Sequence, residues 1–575
     1  MSIAEAHAQL TAPGSPFEIE EKPIRGVPTK TWKHAPPTLR DVFLDGLRFR
    51  EREFLVYEDD RATFDAFGKA TLTLAHRLLA DGVKKGDRVA VIMRNLPEWP
   101  VAFFAGQLIG AIVTPLNAWW TASELEYGLA DSGTKIAFVD DERLDRVVDV
   151  LGQLPDLEKI YVTRHAGQGL PPKTERLEAV IGPVNSWSAL PEPALPDVPL
   201  DPEDDATILY TSGTTGRPKG ALGTHRNMTT NVTTNALAAV RTFLRAGEPL
   251  PDLDPAAVPQ RVILLVVPMF HATGLSSTLG PTLSTGGKLV LMRRWDPEPA
   301  MQLIEREKVM ATGGVPTIAW QLIEHPARGK YDLSSLVGVG YGGAPSAPEL
   351  VRKIVEVFPG SQPGNGWGMT ETTATFTGHS GPDYLNRPDS AGPALPVGEM
   401  HVRDPADGKT ILPAGSIGEL WVKGPQVVKL YWNRPDATAE TFQDGWLRTG
   451  DLARIDEEGF LFIIDRAKDM LIRGGENIYC VEVENVLYDH PDVMDAALVG
   501  IPHKTLGEEP AAVVHLKPGG TATEAELRQF VRERLAAFKT PVKVAFWPET
   551  LPRNANGKIM KRELKKVFEQ ESAEA

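Results

Sequence analysis

The 575-residue chain has one cysteine, Cys480, so it can build neither an internal disulfide nor a cysteine-based metal site. That fits a reducing, cytoplasmic setting. Basic charge is also short, with 61 Lys and Arg against 76 Asp and Glu and a formal net charge of −15. Nucleic-acid binding draws most of its affinity from neutralised phosphates, so a nucleic-acid partner is disfavoured and any phosphate must be bound locally. The N-terminus lacks a basic segment followed by an apolar run, and no secretory signal is visible. Trp99 to Ser123 is uncharged over a length that could span a bilayer. Pro100 and Pro115 bracket it, Gly106 and Gly110 interrupt it, and Thr121-Ala-Ser-Glu124 reads as the capping box of another helix. The stretch therefore predicts a buried helix followed by a core strand, with no integral membrane span.

The chain is too long for one ordinary core, so two or more domains are expected. Short apolar runs at Arg88 to Met93, Lys135 to Val139 and Lys159 to Val162 alternate with helical patterns such as Leu72, Leu74, His76, Leu78 and Leu79. This alternation predicts layered α/β architecture. Further strands are expected at Ala206 to Tyr210, Val262 to Val267, Lys288 to Met292 and Val337 to Gly340. Proline-rich, acidic stretches near 195 to 205 and 246 to 259 read as a connector and a surface insert. After about residue 390 the texture becomes short β-like runs with Gly and Pro, which suggests a smaller antiparallel subdomain. Strand and helix patterns resume from about 468.

The densest chemical signal is Tyr210-Thr-Ser-Gly-Thr-Thr-Gly-Arg-Pro-Lys-Gly220, directly after a strand. Its glycines permit tight turns, its Thr and Ser residues supply hydroxyl donors, and Lys219 supplies a cation, so it can wrap a polyphosphate. The spacing is not that of the P-loop nucleotidases. This loop resembles the phosphate loop of the adenylate-forming superfamily, which includes acyl-CoA synthetases, nonribosomal peptide adenylation domains and firefly-type luciferases. Further segments follow in the family's order from about residue 50 to residue 565. Read alone, each is a turn or a solvated charge; arriving in register, they reinforce one another.

The resemblance implies the roles that follow. Thr211, Ser212, Gly213, Thr214, Thr215 and Lys219 hold ATP phosphates. In Pro268-Met-Phe-His-Ala-Thr-Gly274, His271 walls the carboxylate and acyl site. In Gly342-Gly-Ala-Pro345, Gly343, Ala344 and Pro345 lie on adenine. In Asn365-Gly-Trp-Gly-Met-Thr-Glu371, Trp367, Gly368 and Met369 form the second nucleotide segment, Thr370 contacts the α-phosphate and Glu371 helps hold Mg²⁺, a hard cation that prefers oxygen ligands. The family usually has Tyr or Phe where this chain has Trp367, so stacking is kept and a phenol is lost. Asp451, in Trp446-Leu-Arg-Thr-Gly-Asp451, accepts from both ribose hydroxyls. In Ile464-Asp-Arg-Ala-Lys-Asp-Met-Leu-Ile-Arg-Gly-Gly-Glu-Asn477, Arg466 contacts ribose or phosphate, Lys468 is the hinge, and Gly474 and Gly475 line a path for pantetheine. Pro552-Arg-Asn-Ala-Asn-Gly-Lys558 carries the catalytic lysine, Lys558, whose ammonium stabilises charge growing in the adenylation transition state.

The expected fold is α/β: a large N-terminal region of layered α/β subdomains plus a β-rich subdomain, and a small mobile C-terminal α/β lid. The expected boundaries are a 1–45 extension, a 46–467 AMP-binding domain and a 468–575 lid. The expected enzyme is an ATP- and Mg²⁺-dependent acyl-CoA synthetase that uses coenzyme A as co-substrate and works through an acyl-adenylate. A medium- or long-chain fatty acid is the first expectation for its small-molecule acid, and an aryl or arylalkanoic acid the second. Met269, Val315, Pro316, Trp320 and Gly340 are expected to shape the acyl pocket. A carrier-protein-loading enzyme, a luciferase-like oxidation and a catalytically dead nucleotide sensor are the competing readings; a homodimer is possible, since dimers are common in the family.

Overall fold

The computed structural model describes every residue except 212–216, 343–347, 468, 475, 555–557 and 575, with side chains described up to residue 568. Two eight-stranded sheets form the large region. In the first, Ile112–Pro115, Arg88–Ile92, Thr134–Asp140 and Lys159–Thr163 run parallel beside Asp205–Tyr210, and the hairpin partner Gly220–Thr224 pairs antiparallel between Asp205–Tyr210 and the edge strand Leu430–Tyr431. Their side chains are buried on both faces, which is why they read as continuous apolar runs. Thr211 thus follows the end of one strand, and Lys219 immediately precedes its antiparallel neighbour.

In the second sheet, Lys288–Leu291, Val262–Leu265, Ala311–Gly314, Gly338–Gly342 and Gln362–Gly366 are neighbours and parallel. Val339 and Tyr341 point into a core made with the helices Pro297–Glu307, Pro316–Ile323 and Pro348–Val357. Residues alternate faces along a strand, so Gly338, Gly340 and Gly342 occupy the other side. The register sets Gly313 against Gly340 and Gly340 against Gly364, a row of three residues without side chains across three adjacent strands.

The stretch from Trp99 divides as its breakers imply. Glu98–Leu108 is a helix with every residue buried, followed by the core strand Ile112–Pro115. Thr121 and Glu124 form the capping box of Ala122–Ser132. Among the described residues no helix is long and apolar enough to cross a membrane.

The segment after residue 390 forms an antiparallel sheet ordered Gly392–Pro393, Phe460–Arg466, Trp446–Ile455, Gly418–Lys423, Glu399–Arg403. A separate sheet of Leu471–Arg473, Glu476–Ile478, Val493–His503, Gly507–Leu516 and Lys543–Phe546 has its own apolar core with the helices Cys480–Tyr488 and Glu524–Arg532. It faces the large region through Lys517, whose ammonium sits 5.5 Å from the Trp320 ring centre. The first residues are not a loose tail. The helix Ile3–Leu10 lies along the long helix His225–Ala246, and Ile3 packs on Phe460 and Phe462. The hairpin Ile19–Ile24 with Val27–Trp32 ends on Trp32, whose indole N–H donates to Thr234 Oγ1 at 3.0 Å.

Candidate active site

The second nucleotide segment is a turn that its sequence makes obligatory. Gly368 pairs with Thr375, and a Cβ there would meet the Ala374 carbonyl oxygen at 1.5 Å, so no other residue fits. Thr370–Thr372 form one 3₁₀ turn; Thr373 and Ala374 follow in the left-handed region, at φ 52° and 82°. Such strain persists only where surroundings over-determine it. Here Thr373 Oγ1 donates to the Gln426 carbonyl at 2.9 Å, Thr372 Oγ1 to Ala374 O at 2.9 Å, and Asn231 Nδ2 to Thr373 O.

The turn presents Glu371, whose side chain is buried. Tyr431 Oη donates to Glu371 Oε1 at 2.5 Å, while Glu371 Oε2 has no hydrogen bond among the described residues. Burial and the Glu371 charge push the Tyr431 hydroxyl far above its ordinary pKa, so it remains a donor. On the other side, the Lys219 ammonium lies 4.3 Å from the centre of the Tyr431 ring. Lys219 is held at the end of its loop by Thr211, with Thr211 N donating to Lys219 O at 2.9 Å and Lys219 N to Thr211 Oγ1 at 3.3 Å. Tyr431 therefore joins the phosphate loop to Glu371. It sits 60 residues from Glu371 in the chain, and no local pattern announces it.

No three His, Cys, Asp or Glu among the described residues cluster to hold a metal by themselves. A single buried carboxylate with one oxygen already oriented and the other uncommitted fits Mg²⁺ shared with phosphate oxygens, since that ion is bound through one or two carboxylates plus substrate phosphates.

Asp451 lies opposite Arg466 in the antiparallel pair Trp446–Ile455 and Phe460–Arg466. Its side chain is buried, and its Oδ2 accepts from Trp367 Nε1 at 2.8 Å. Oδ1 is 3.0 Å from Arg466 Nε, an ion contact in which no N–H points at the oxygen, so Oδ1 carries no hydrogen bond among the described residues. Asp451, set against burial, and then Asp469 and Glu371 hold the Arg466 guanidinium firmly charged. A buried carboxylate oxygen lacking a donor is costly unless a ligand supplies one, and a sugar hydroxyl has that chemistry.

His271 starts a turn built around Asn95. Asn95 Oδ1 accepts from Met269 N at 2.9 Å, and its amide donates to Leu265 O and Val267 O at 3.3 and 3.1 Å. Gly274 is required because a Cβ there would lie 2.3 Å from Pro268 O. The His271 ring stands edge-on to Phe270, 4.6 Å between centres. Thr273–Leu279 is a π-helical turn, a rare form found often at functional sites, and its Ser277 bonds Thr375 at 2.7 Å, tying the segment to the Glu371 turn. Met269 and Trp320 are buried in cores; Gly340 is exposed, with nothing within 4 Å of a Cβ placed on it.

Lys558 belongs to a hairpin in the C-terminal part. Lys558 N donates to Asn554 Oδ1 at 3.0 Å, Asn554 N to Lys558 O at 2.9 Å, and Arg553 bridges to Ile559. The hairpin base is fixed by Arg553, which donates to both oxygens of buried Asp495 at 2.7 and 2.8 Å. Gly474 adopts φ +60° and donates to Leu506 O at 2.8 Å. Ser212, Gly213, Thr214, Thr215, Gly343, Ala344, Pro345, Lys468 and Gly475 lie outside the described residues. Thr211, Lys219, Trp367, Gly368, Met369, Thr370, Glu371, Asp451 and Arg466 gather on the large region around the contacts above.

Residues 45–432 match the AMP-binding enzyme family and residues 482–558 its C-terminal domain. The chain is 36% identical over 506 residues to a feruloyl-CoA synthase of Amycolatopsis sp., covering 88% of this chain and 94% of that protein. It is 34% identical over 549 residues to a long-chain-fatty-acid–CoA ligase of Bacillus subtilis, covering 92% and 94%. Its fold matches an anthranilate CoA ligase in complex with anthranoyl-AMP with a TM-score of 0.81 at 26% identity, covering 93% and 98%. The chain belongs to the adenylate-forming superfamily of AMP-binding enzymes and is an AMP-forming acid–thiol ligase that uses ATP, Mg²⁺ and coenzyme A.

Proposed function

We propose that this ligase activates an aryl or arylalkenoic acid. The carrying observation is the strip Gly313, Gly340 and Gly364, where three adjacent strands present bare backbone in register. With strands about 4.8 Å apart, the strip is roughly 10 Å wide, and a flat surface of that width takes a planar ring face-on. The likeness to a feruloyl-CoA synthase and an anthranilate ligase supports this reading. A medium- or long-chain fatty acid, the first expectation from sequence, is the second reading, because a similar fraction of the chain aligns with a long-chain ligase.

In the proposed first half-reaction the acid's carboxylate oxygen attacks the α-phosphorus of ATP and pyrophosphate leaves. Thr211 and Lys219 with the loop residues Ser212 to Thr215 hold the phosphates, and Thr370 contacts the α-phosphate. Trp367, Gly368 and Met369, with Gly343, Ala344 and Pro345, cradle adenine; Asp451 and Arg466 take the ribose. Bound beside Glu371, Mg²⁺ would neutralise phosphate charge. Lys558 meets the charge developing between carboxylate and phosphate. Residues 468–575 then turn about Lys468, and the coenzyme A thiol, reaching past Gly474 and Gly475 and beside His271, displaces AMP. A pyrophosphate-release screen across cinnamic, benzoic and C6 to C18 aliphatic acids tests the substrate. Highest kcat/KM on a fatty acid would refute the aryl reading.

A further inference from the structure

The departure at Trp367 does more than keep an aromatic ring beside the base. We infer that the Trp367 indole N–H is a positioning group for Asp451, so that base stacking and ribose recognition are set by one side chain. This rests on the proposed ribose role of Asp451. The N–H reaches Asp451 Oδ2 at 2.8 Å across 84 residues of sequence. A Phe at this position has no donor, so the bond belongs to the indole.

Trp367 has little freedom to relax away. Its backbone N donates to Thr377 Oγ1 at 3.1 Å, and its carbonyl accepts from Phe376 N and Thr377 N, both at 3.0 Å. The flanking glycines are locked as well: a Cβ on Gly366 would lie 2.6 Å from Thr377 O, and one on Gly368 would strike Ala374 O. Its ring meets Phe376 edge-on at 6.0 Å between centres. Among the described residues the Asp451 carboxylate is otherwise contacted by Arg466, whose Nε approaches Oδ1 without directing a hydrogen at it. With Oδ2 held by the indole, Oδ1 is left pointing as the uncommitted acceptor. The carboxylate is thus oriented before the nucleotide arrives, and binding need not meet that ordering cost.

The test compares ATP with 2′-deoxy-ATP, by titration calorimetry without the acid and by kcat/KM with it, for the wild type, Trp367→Phe, Trp367→Ala and Asp451→Ala. Loss of a hydrogen bond to a charged group is worth about tenfold or more in an equilibrium constant. Trp367→Phe, which keeps a ring, should weaken ATP binding about tenfold, leave kcat within about threefold, and bring the ATP to 2′-deoxy-ATP affinity ratio close to that of Asp451→Ala. Trp367→Ala should lose stacking in addition and bind both nucleotides more weakly still. If Asp451→Ala collapses the ratio and Trp367→Phe leaves it at the wild-type value, the indole only stacks and the inference is overturned while the ribose role stands. If Asp451→Ala itself leaves the ratio unchanged, the ribose role fails, and the inference with it.

Discussion

Glu371→Gln is the most informative single change in the site, because its structural and electrostatic consequences separate. Glutamine is almost the same shape, and its Oε1 can still accept from Tyr431, now 2.5 Å away. The cost to folding is the difference between a charge-assisted and a neutral hydrogen bond, on the order of 1 kcal/mol. For a chain of 575 residues that is a shift of a few degrees in Tm at most. The charge is lost outright, however, and the uncommitted Oε2, which fits a hard cation, becomes an amide nitrogen. Removal of one preorganised electrostatic group lowers a rate by roughly 10²- to 10³-fold, about 3 to 4 kcal/mol in the barrier. Adenylate formation, followed as pyrophosphate release over a Mg²⁺ titration, should therefore slow by about that factor and need more Mg²⁺ for half-saturation, with Tm nearly unchanged. Tyr431→Phe is the converse: it keeps the charge and removes the donor, costing about 1.5 to 3 kcal/mol of stability and only a few-fold in Mg²⁺ half-saturation. An unmoved Mg²⁺ curve in Glu371→Gln would remove Glu371 from the cation site, whatever its rate.

Lys558→Ala should slow adenylation about 10²- to 10³-fold yet convert pre-made acyl-adenylate and coenzyme A to thioester at nearly the wild-type rate; equal loss in both assays would sink the two-geometry scheme. Acid should destabilise the fold between pH 6.5 and 4, where buried histidines and the buried Asp465 act in opposite directions. Burial holds His7 at about 3 and His225 and His379 at about 4, so each is neutral when folded and takes a proton on unfolding in that window. Their contribution is complete above pH 6.5 and is lost as pH falls toward 4. Asp465, pushed up to about 6 by burial, opposes them, because below about pH 6 and down to the ordinary carboxylate range it gives up a proton on unfolding. These three against Asp465 leave about two protons, or roughly 3 kcal/mol of stability per pH unit near pH 5, and half-buried His401, lowered to about 4 by burial and then Arg403, adds in the same direction. Urea midpoints at pH 7, 6 and 5 read this directly, and stability that holds level or rises on acidification would refute it.

The parts of this molecule legible in its sequence are those where the physics is local. Strands such as Arg88–Ile92 and Thr134–Asp140 are buried on both faces and must be apolar throughout, and helix caps such as Thr121 with Glu124 are satisfied within four residues. Glycines that accept no Cβ, among them Gly274 and Gly368, are readable as turns for the same reason. What stayed hidden depends on register and on partners far apart in the chain. Tyr431 reads as an ordinary aromatic at a strand end until sheet pairing with Ala221 sets it beside the Glu371 turn. Asn95 shows no motif, although it holds the His271 segment from 174 residues away. The strip Gly313, Gly340 and Gly364 is three unrelated glycines in sequence and becomes a surface only when three strands align without a shift.

Trp367 shows how a departure from a family pattern can be read once both ends are visible. From sequence it preserves a ring and loses a phenol, which leaves the pocket's shape open. In the structure the question is where the indole's single donor goes, since a half-buried Trp N–H seldom does without a partner. It goes to Asp451, which sits in a sheet formed by residues 392 to 466 while Trp367 follows the strand Gln362–Gly366 of another. The bond therefore spans two sheets as well as two motifs. A substitution that keeps the ring and removes the donor, Trp367→Phe, alters that link without emptying the pocket, whereas one at Asp451 removes the charge itself. The two residues must then be read as a pair, and a double-mutant cycle on ATP affinity should give a coupling of at least about 1 kcal/mol. Additivity within about 0.3 kcal/mol would mean that the indole and the carboxylate meet the nucleotide independently.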